Sequence, residues 1–361
     1  MARPCQARIL CSGLRHNVGV VRQRAPSARI MACVKADGYG HGAITVATAI
    51  NDLVDGFAVA CIEEALELRD HGIGGPVLLL EGPQSADEIG LAAEHQLTLC
   101  LSSPHQLQWL TDADLQTPVS CWLKIDTGMH RLGFAPEVVA DTFERLQALR
   151  CVTGTPVLCS HFARADSPED PANNTQEACF DRTVAGLDAA HSLANSAAIL
   201  TRPDSHRAWV RPGYMLYGGS PFTHRDSESL GLRPAMELST AVIGIRDVAE
   251  GQAVGYGGRW VAPRASRIAT LAVGYGDGYP RHAPDGTPVL IEGSAAPLAG
   301  RVSMDMITVD VTDIPAVQVG SRAVLWGSEP DVDTIAQLSG TIGYELLAGM
   351  PSRTPRIKES P

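Results

Sequence analysis

Between about residues 29 and 218, short apolar runs rich in Val, Ile and Leu alternate with longer segments of helical spacing. This alternation is typical of parallel strands connected by helices. The number of strand-like runs limits the architecture most strongly. Eight runs are found, at residues 30–35, 57–61, 77–81, 98–101, 120–126, 157–161, 192–196 and 209–214. Eight such units in about 200 residues predict a TIM-type (β/α)8 barrel, in which active residues gather at the carboxyl ends of the strands.

The segments between these runs place apolar residues three or four positions apart, which predicts helices over residues 63–71, 85–95, 136–149 and 175–190. Beyond about residue 231 helical spacing largely stops, and β-branched runs alternate with Gly and Pro turns. These runs lie at residues 240–245, 268–273, 287–291, 307–311 and 322–325. We therefore predict an α/β barrel over residues 9–230 and a mainly antiparallel β domain over residues 231–361. Residues 1–8 are a candidate strand of the second domain.

The composition indicates which classes of partner, among membranes, nucleic acids and small molecules, this chain favours. Apolar residues make up 45% of the chain, but no apolar run approaches the ~20 residues that cross a bilayer. The first residues lack the apolar stretch of a secretory signal, so we expect a cytoplasmic protein without a membrane partner. The formal charge of −11 and the lack of a basic stripe disfavour nucleic acid. A small-molecule partner is favoured.

The nine cysteines lie mostly inside apolar runs, which favours reduced core thiols. Their number is odd, and no C-x-x-C pair is present. We expect no metal site on this basis.

Lys35 is the first residue whose position indicates chemistry. It ends the first apolar run, in the segment V-K-A-D-G-Y-G-H-G at residues 34–42, and so lies at the predicted barrel mouth. Apolar surroundings disfavour an ammonium ion and raise the fraction of neutral amine that can attack an aldehyde. The alternative is a strand-end lysine that reaches solvent. The glycines that follow favour the first interpretation, because they put a tight backbone beside Tyr39, whose hydroxyl can reach a phosphate.

The segment at residues 34–42 closely resembles the cofactor-lysine signature of bacterial alanine racemases, and further motifs follow in that family's order over nearly the whole chain. The resemblance implies a TIM-like barrel that carries pyridoxal phosphate. It also implies a C-terminal β domain that completes the partner subunit's active site, and hence a homodimer. In this interpretation Lys35 binds the cofactor as an imine and then acts as a base on one face of the substrate Cα.

A racemase needs a second base on the opposite face, and the matching position is Tyr275 in A-V-G-Y-G-D-G-Y-P-R. A free tyrosine has a pKa near ~10, so cationic neighbours must stabilise its phenolate. Without the resemblance, Tyr275 is a turn tyrosine at a strand end. The glycines around it do not indicate dinucleotide binding, because no helical pattern follows them.

Two residues match the family's pyridine-ring region. Arg211, in W-V-R-P-G-Y, matches the arginine that faces the pyridine nitrogen. Because arginine keeps its proton, the resemblance implies an unprotonated ring nitrogen and weaker electron withdrawal, which limits side reactions such as transamination. His161 matches the histidine that contacts this arginine, although a lone strand-end histidine is also compatible with a structural role.

Barrels of this type often bind phosphate at the loops after strands seven and eight. Those loops contain Asn195 and Ser196, and Gly213 and Tyr214. The Ser196 hydroxyl and the backbone N–H groups of Gly213 and Tyr214 are candidate phosphate donors, with Tyr39 closing the site. These positions also correspond to phosphate contacts in the family.

The segment K-I-D-T-G-M-H-R-L-G, at residues 124–133, matches the family segment that holds a carboxylate-binding arginine, which is Arg131 here. A planar guanidinium suits a carboxylate, and a solvent-exposed loop arginine is the alternative. Some family members carbamylate the lysine at the position of Lys124. Met304 and Asp305 resemble the segment that contacts substrate from the other subunit. The sequence departs from the family at Ser352, where many relatives have a tyrosine.

The predicted activity is the interconversion of L-alanine and D-alanine by two-base proton exchange on the pyridoxal phosphate complex, for peptidoglycan precursors or alanine catabolism. A barrel-type amino-acid decarboxylase is the second hypothesis, and Arg211 argues against it because that chemistry gains from a protonated ring nitrogen. A pyridoxal phosphate carrier is the third, and it would not need a long domain with Tyr275 and Met304. Serine remains a candidate substrate, because a small pocket discriminates single hydroxyl groups only modestly.

Overall fold

Eight short parallel strands close into a barrel in the computed structural model, which describes residues 3–359. The first strand of the chain, β1 (Gln6–Ile9), belongs to a different sheet. The barrel strands are β2 (Arg29–Cys33), β3 (Gly56–Val59), β4 (Val77–Leu79), β5 (Thr98–Leu101), β6 (Ser120–Lys124), β7 (Val157–Cys159), β8 (His191–Ser192) and β9 (Trp209–Val210). The barrel closes where β9 pairs with β2, so the predicted TIM-type architecture is confirmed.

Both faces of the barrel strands are buried, which explains why they read as continuous apolar runs. Met31 and Cys33 pack in one cluster with Trp122 and Trp209 from other strands. Their neighbours in β2 belong to a second, larger cluster shared with the surrounding helices. Side chains that alternate along a strand thus fill the barrel interior and the helix interface in turn.

The helices around the barrel are α1 (Cys11–Arg24), α2 (Lys35–Tyr39), α3 (Ala43–Ile50), α4 (Ile62–Asp70), α5 (Asp87–Glu94), α6 (Pro104–Asp112), α7 (Val139–Ala148), α8 (Pro171–Val184) and α9 (Ser196–Thr201). The predicted bounds of α8 were wrong at both ends. The Asp170 side chain caps its start, with Pro171 in the first turn. Its end precedes Gly186, which has a φ of +84°.

Seven of the eight predicted barrel strands extend past the observed C-terminal end, five of them by two residues and two by four. Residues 192–196 were expected to be one strand, but β8 ends at Ser192 and Asn195 caps α9 by accepting a hydrogen bond from Ala198 N–H. Similarly β9 ends at Val210, and a 3₁₀ turn over Tyr214–Tyr217 follows. The site residues predicted at strand ends therefore lie on loops and at element starts.

The remaining strands form a second, mainly antiparallel β region. They are β10 (Met236–Val248), β11 (Ala253–Val254), β12 (Trp260–Val261), β13 (Ser266–Leu271), β14 (Pro288–Ile291), β15 (Ser294–Pro297), β16 (Ile307–Asp310), β17 (Arg322–Trp326) and β18 (Arg356–Lys358). The main sheet has the order β15-β14-β17-β10-β1-β18; β13 also pairs with β10, and β16 pairs with β13. β1 pairs antiparallel with β10 and parallel with β18, so both ends of the chain enter this sheet. Residues 1, 2, 360 and 361 of the predicted ranges lie outside the described residues.

Two helices of this region were not predicted, α10 (Val332–Leu338) and α11 (Gly343–Ala348). At seven and six residues, they are too short to show a clear helical period. In the part of the chain that the structure covers, no helix has the length and apolar character needed to span a bilayer. All nine cysteines lie within that part and are free thiols.

Candidate active site

A cavity of about 1120 Å³ opens at the carboxyl ends of the barrel strands. Of the residues predicted to form the site, those that line it are Lys35, Tyr39, Lys124, Arg131, His161, Asn195, Ser196, Arg211 and Gly213. Tyr214 lies behind the wall, fully buried. Tyr275 and Met304 are not among the described residues that line the cavity.

Lys35 begins α2, two residues beyond the end of β2, and this short element is a turn with left-handed backbone rather than a regular helix. Residues 36–38 have φ values between 52° and 60°, in the left-handed region that L-residues avoid. The Glu64 carboxylate holds this turn by accepting the N–H groups of Ala36 and Ala60 at 2.6 and 2.8 Å. The turn thus directs the chain sharply away from the strand and leaves Lys35 at the barrel mouth.

Tyr39 forms the wall next to this turn. Its ring stacks on Tyr217 with centroids 4.6 Å apart, and the Tyr217 hydroxyl donates to the Cys33 carbonyl at 2.9 Å. Burial raises the pKa of the Tyr39 phenol above its usual range, so its hydroxyl stays protonated and can donate a hydrogen bond.

Arg211 is held rigidly at the cavity wall. Its Nη1 donates to Ser192 Oγ at 2.5 Å, and its Nη2 donates to the Ser160 carbonyl at 2.6 Å. Nη2 also lies 3.3 Å from His161 Nδ1. Burial, assisted by the positive charge of Arg211 and nearby lysines, lowers the pKa of His161 well below its usual value. His161 is therefore neutral, and its Nδ1 can accept from the guanidinium.

A cluster of hydroxyl and backbone donors lies beside Tyr39. Ser196 Oγ accepts the N–H groups of Gly213 and Met215 at 2.9 and 3.3 Å, and Ser196 begins α9. A Cβ on Gly213 would lie 2.6 Å from the Tyr39 hydroxyl, so only glycine lets this backbone approach so closely. Small residues and N–H donors at a helix start suit a phosphate group.

Lys124, the last residue of β6, and Arg131, on the loop that follows it, also line the cavity. Asp126 orders this loop by accepting the N–H groups of Gly128, Met129 and His130 at 2.9 to 3.0 Å. Arg131 itself is exposed, so its guanidinium is free to meet an entering anion.

Sequence reasoning missed a wall of the cavity that α10 and α11 provide. The Tyr214 hydroxyl donates to Asp333 Oδ1 at 2.5 Å, and the Tyr214 ring stacks on Tyr344 at 3.7 Å. Asp333 and Tyr344 both line the cavity. The Asp331 cap that begins α10 was the one local signal for this wall. Ser352, by contrast, is exposed and does not line the cavity.

Tyr275 and Met304 lie side by side on the β region. Tyr275 N–H donates to the Ser303 carbonyl at 3.0 Å, and Gly276 N–H donates to the Met304 carbonyl at 2.9 Å. The Tyr275 and Met304 side chains are 41% and 52% exposed. Within one chain, then, the cavity contains the lysine amine but not the tyrosine phenol.

This donor set fits pyridoxal phosphate on chemical grounds. Lys35 offers an amine for the aldehyde, Arg211 offers a fixed cation beside the ring position, and the Ser196 hydroxyl beside the Gly213 loop suits the phosphate. A barrel whose mouth combines these groups with an exposed arginine is typical of one class of protein, the pyridoxal phosphate enzymes that act on amino acids.

Comparison with known proteins places the chain more narrowly. The sequence profile described as "Alanine racemase, N-terminal domain" matches residues 9–221, and the profile described as "Alanine racemase, C-terminal domain" matches residues 235–358. Alanine racemase of Chromohalobacter salexigens is 48% identical over 356 residues, which cover 99% of this chain and 98% of that protein. The catabolic alanine racemase of Pseudomonas putida is 46% identical over 354 residues, or 98% of each chain.

The crystal structure of the biosynthetic alanine racemase from Pseudomonas aeruginosa has a TM-score of 0.96 to this structure at 46% identity. The match covers 99% of this chain and 100% of that chain. The chain belongs to the alanine racemase family, whose members use pyridoxal phosphate.

Proposed function

We propose that this protein interconverts L-alanine and D-alanine as a homodimer, with Lys35 and Tyr275 of the partner subunit as the two bases. The observation that carries the proposal is the division of the two bases. Lys35 lies in the cavity, whereas Tyr275 lies outside it on an exposed turn of the same chain. A second chain that brings its Tyr275 to the cavity would supply the missing base.

Pyridoxal phosphate, when bound, withdraws electrons from the amino acid and so weakens its Cα–H bond. Ser196, the Gly213–Tyr214 loop and Tyr39 would hold its phosphate, with Asn195 ordering the start of α9. Lys35 would hold its aldehyde carbon through the side-chain amine, and the same amine would carry the Cα proton on one face.

Arg211 limits the reaction to proton exchange. Its guanidinium lies at the cavity wall and keeps its protons, so it would not protonate a pyridine nitrogen held beside it. By leaving that nitrogen unprotonated, Arg211 would favour return of the proton to Cα over its transfer elsewhere. His161, held neutral at 3.3 Å from Nη2, keeps the guanidinium in place without adding a competing positive charge.

Arg131 binds the substrate carboxylate from the loop after β6. Lys124 lies on the same part of the cavity wall, and carbamylation there would place an anion that orients Arg131. Met304 of the partner subunit would close the site over the substrate.

The proposed dimer gives each part of the chain a role. Residues 9–230 carry the cofactor, and residues 231–361 complete the site of the other subunit. Because L-alanine and D-alanine have equal free energies in water, the same site would serve D-alanine supply for peptidoglycan and D-alanine catabolism. We keep the cytoplasmic location as a prediction.

The test is incubation of the purified protein with pyridoxal phosphate and enantiopure L-alanine, followed by chiral chromatography. We expect conversion to a racemic mixture, and none with the Lys35→Ala variant. Release of carbon dioxide instead would indicate a decarboxylase, and binding without any reaction would indicate a carrier. A panel of single L-amino acids, including serine, defines the substrate range.

A further inference from the structure

Four charged residues form a network beneath the turn that carries Tyr275. Asp277, at the end of the turn, has a side chain that is only 1% exposed. Arg3, from the start of the chain, donates to Asp277 Oδ2 at 2.6 Å, and Arg353, from the C-terminal tail, places Nε 3.0 Å from Asp277 Oδ1. A carboxylate this deeply buried requires such cationic partners.

The same arginines also hold the segment that carries Met304. Arg353 Nη2 donates to Asp305 Oδ1 at 2.7 Å, and Arg3 Nη2 donates to the Asp305 carbonyl at 2.8 Å. Arg353 therefore bridges two carboxylates, one at the end of the Tyr275 turn and one directly after Met304. A guanidinium has donors in a fixed plane, so one side chain can set the spacing of two segments.

The geometry points to Arg353 as a positioning residue for racemisation, one that holds the Tyr275 turn against the Met304 segment. This inference rests on the proposed function, because it assigns importance to the placement of Tyr275. Arg353 does not itself line the cavity, so its effect on the reaction is transmitted through Tyr275 and Met304.

The test compares Arg353→Met with Arg353→Lys, Asp305→Asn and a matched control, Arg264→Met. Arg264 also forms an ion pair in the β region, with Asp313 at 2.5 Å, but it lies outside the network. We expect Arg353→Met to lower kcat by about tenfold or more, because small misplacements of catalytic groups are costly. Arg353→Lys and Asp305→Asn should give intermediate losses, and Arg264→Met should match the wild type.

Deuterium exchange at Cα distinguishes positioning from general damage. Each variant is incubated in D₂O with one enantiomer of alanine, and deuterium gained with retention is compared with deuterium gained with inversion. Misplacing Tyr275 should raise the retention-to-inversion ratio for the enantiomer whose proton Lys35 removes, and lower it for the other enantiomer. General loss of folded enzyme would leave both ratios unchanged, and that result for Arg353→Met would overturn the inference.

Amide hydrogen exchange of the peptide containing residues 274–278 gives a readout that does not need turnover. We expect faster exchange there in Arg353→Met than in the wild type or Arg264→Met. If the wild type does not racemise alanine, the proposed function fails, while the amide exchange still shows whether Arg353 holds the turn. Unchanged exchange in Arg353→Met would contradict the inference by itself.

Discussion

At the residue scale, His41 is the buried group that the reaction does not use. Its side chain is completely buried, and its Nδ1 lies 2.8 Å from the Tyr39 carbonyl. Its Nε2 has no hydrogen-bond partner among the described residues, its ring packs on Tyr217, and Arg356 is the nearby cation. Burial lowers the pKa of His41 to about 4. His41 is therefore neutral beneath the Lys35 turn at neutral pH.

This low pKa predicts a loss of stability in acid. Between pH 6.5 and about 4, His41 is mostly protonated in the unfolded chain but mostly neutral in the folded chain. The free energy of unfolding should therefore fall through this window, by up to about 3 kcal/mol from this residue. In His41→Asn, whose amide can still donate to the Tyr39 carbonyl, the decline should be shallower. Urea unfolding at a series of pH values measures both slopes.

The other histidines with lowered pKa values are present in both proteins, so they cancel in the comparison. His41→Asn is expected to be less stable than the wild type at pH 7 because it loses packing. The test therefore compares only how steeply the free energy of unfolding falls with pH in the two proteins. Equal slopes in the two proteins would show that His41 does not set the acid sensitivity.

At the scale of elements, the sequence predicted the strands whose burial leaves a regular apolar pattern. Strands buried on both faces produce apolar runs, so the eight runs predicted the barrel correctly. Helix caps were not predicted in the same way. Asn195 caps α9 inside a run that otherwise resembles a strand. The short helices α10 and α11 have no clear period, and their contacts with Tyr214 join residues more than 100 positions apart.

The candidate site was predictable to a similar extent. Residues that follow barrel strands, such as Lys35, His161 and Arg211, are brought together by strand order alone. Asp333 and Tyr344 reach the cavity only through tertiary packing, which leaves no local pattern. The position of Ser352 outside the cavity could not be predicted from alignment of motifs alone.

The packing of α11 against the Lys35 turn gives a prediction at this scale. Gly40 has a φ of +74°, and a Cβ there would lie 1.9 Å from the Leu347 carbonyl oxygen. Gly186 has a similar φ of +84° but faces open space. We expect Gly186→Ala to cost about 1 kcal/mol from backbone strain alone. Gly40→Ala should cost about 3 kcal/mol or more, because the helix must also move.

Urea unfolding of the two glycine variants measures this difference. Both substitutions add the same methyl group at a positive φ, so the excess loss in Gly40→Ala reports the contact with α11. Equal losses would mean that α11 does not pack tightly on the lysine turn.

At the scale of the whole molecule, the two ends of the chain meet in one sheet and support the Tyr275 turn. β1 and β18 pair with each other, while Arg3 and Arg353 beside them bind Asp277. In the proposed mechanism the barrel holds one base, Lys35, at its mouth, and the sheet region presents the other, Tyr275, on an exposed turn. The two halves of the reaction are therefore built by different parts of the fold.

Complementation between two inactive variants tests this arrangement most directly. Lys35→Ala lacks one base and Tyr275→Phe lacks the other, and each is expected to be inactive alone. If the site takes one base from each chain, a hybrid dimer contains one intact site and one site without either base. Random mixing should then restore about a quarter of wild-type racemase activity, since half of the dimers are hybrids. Verified hybrid dimers that remain inactive would contradict the account and place both bases on a single chain.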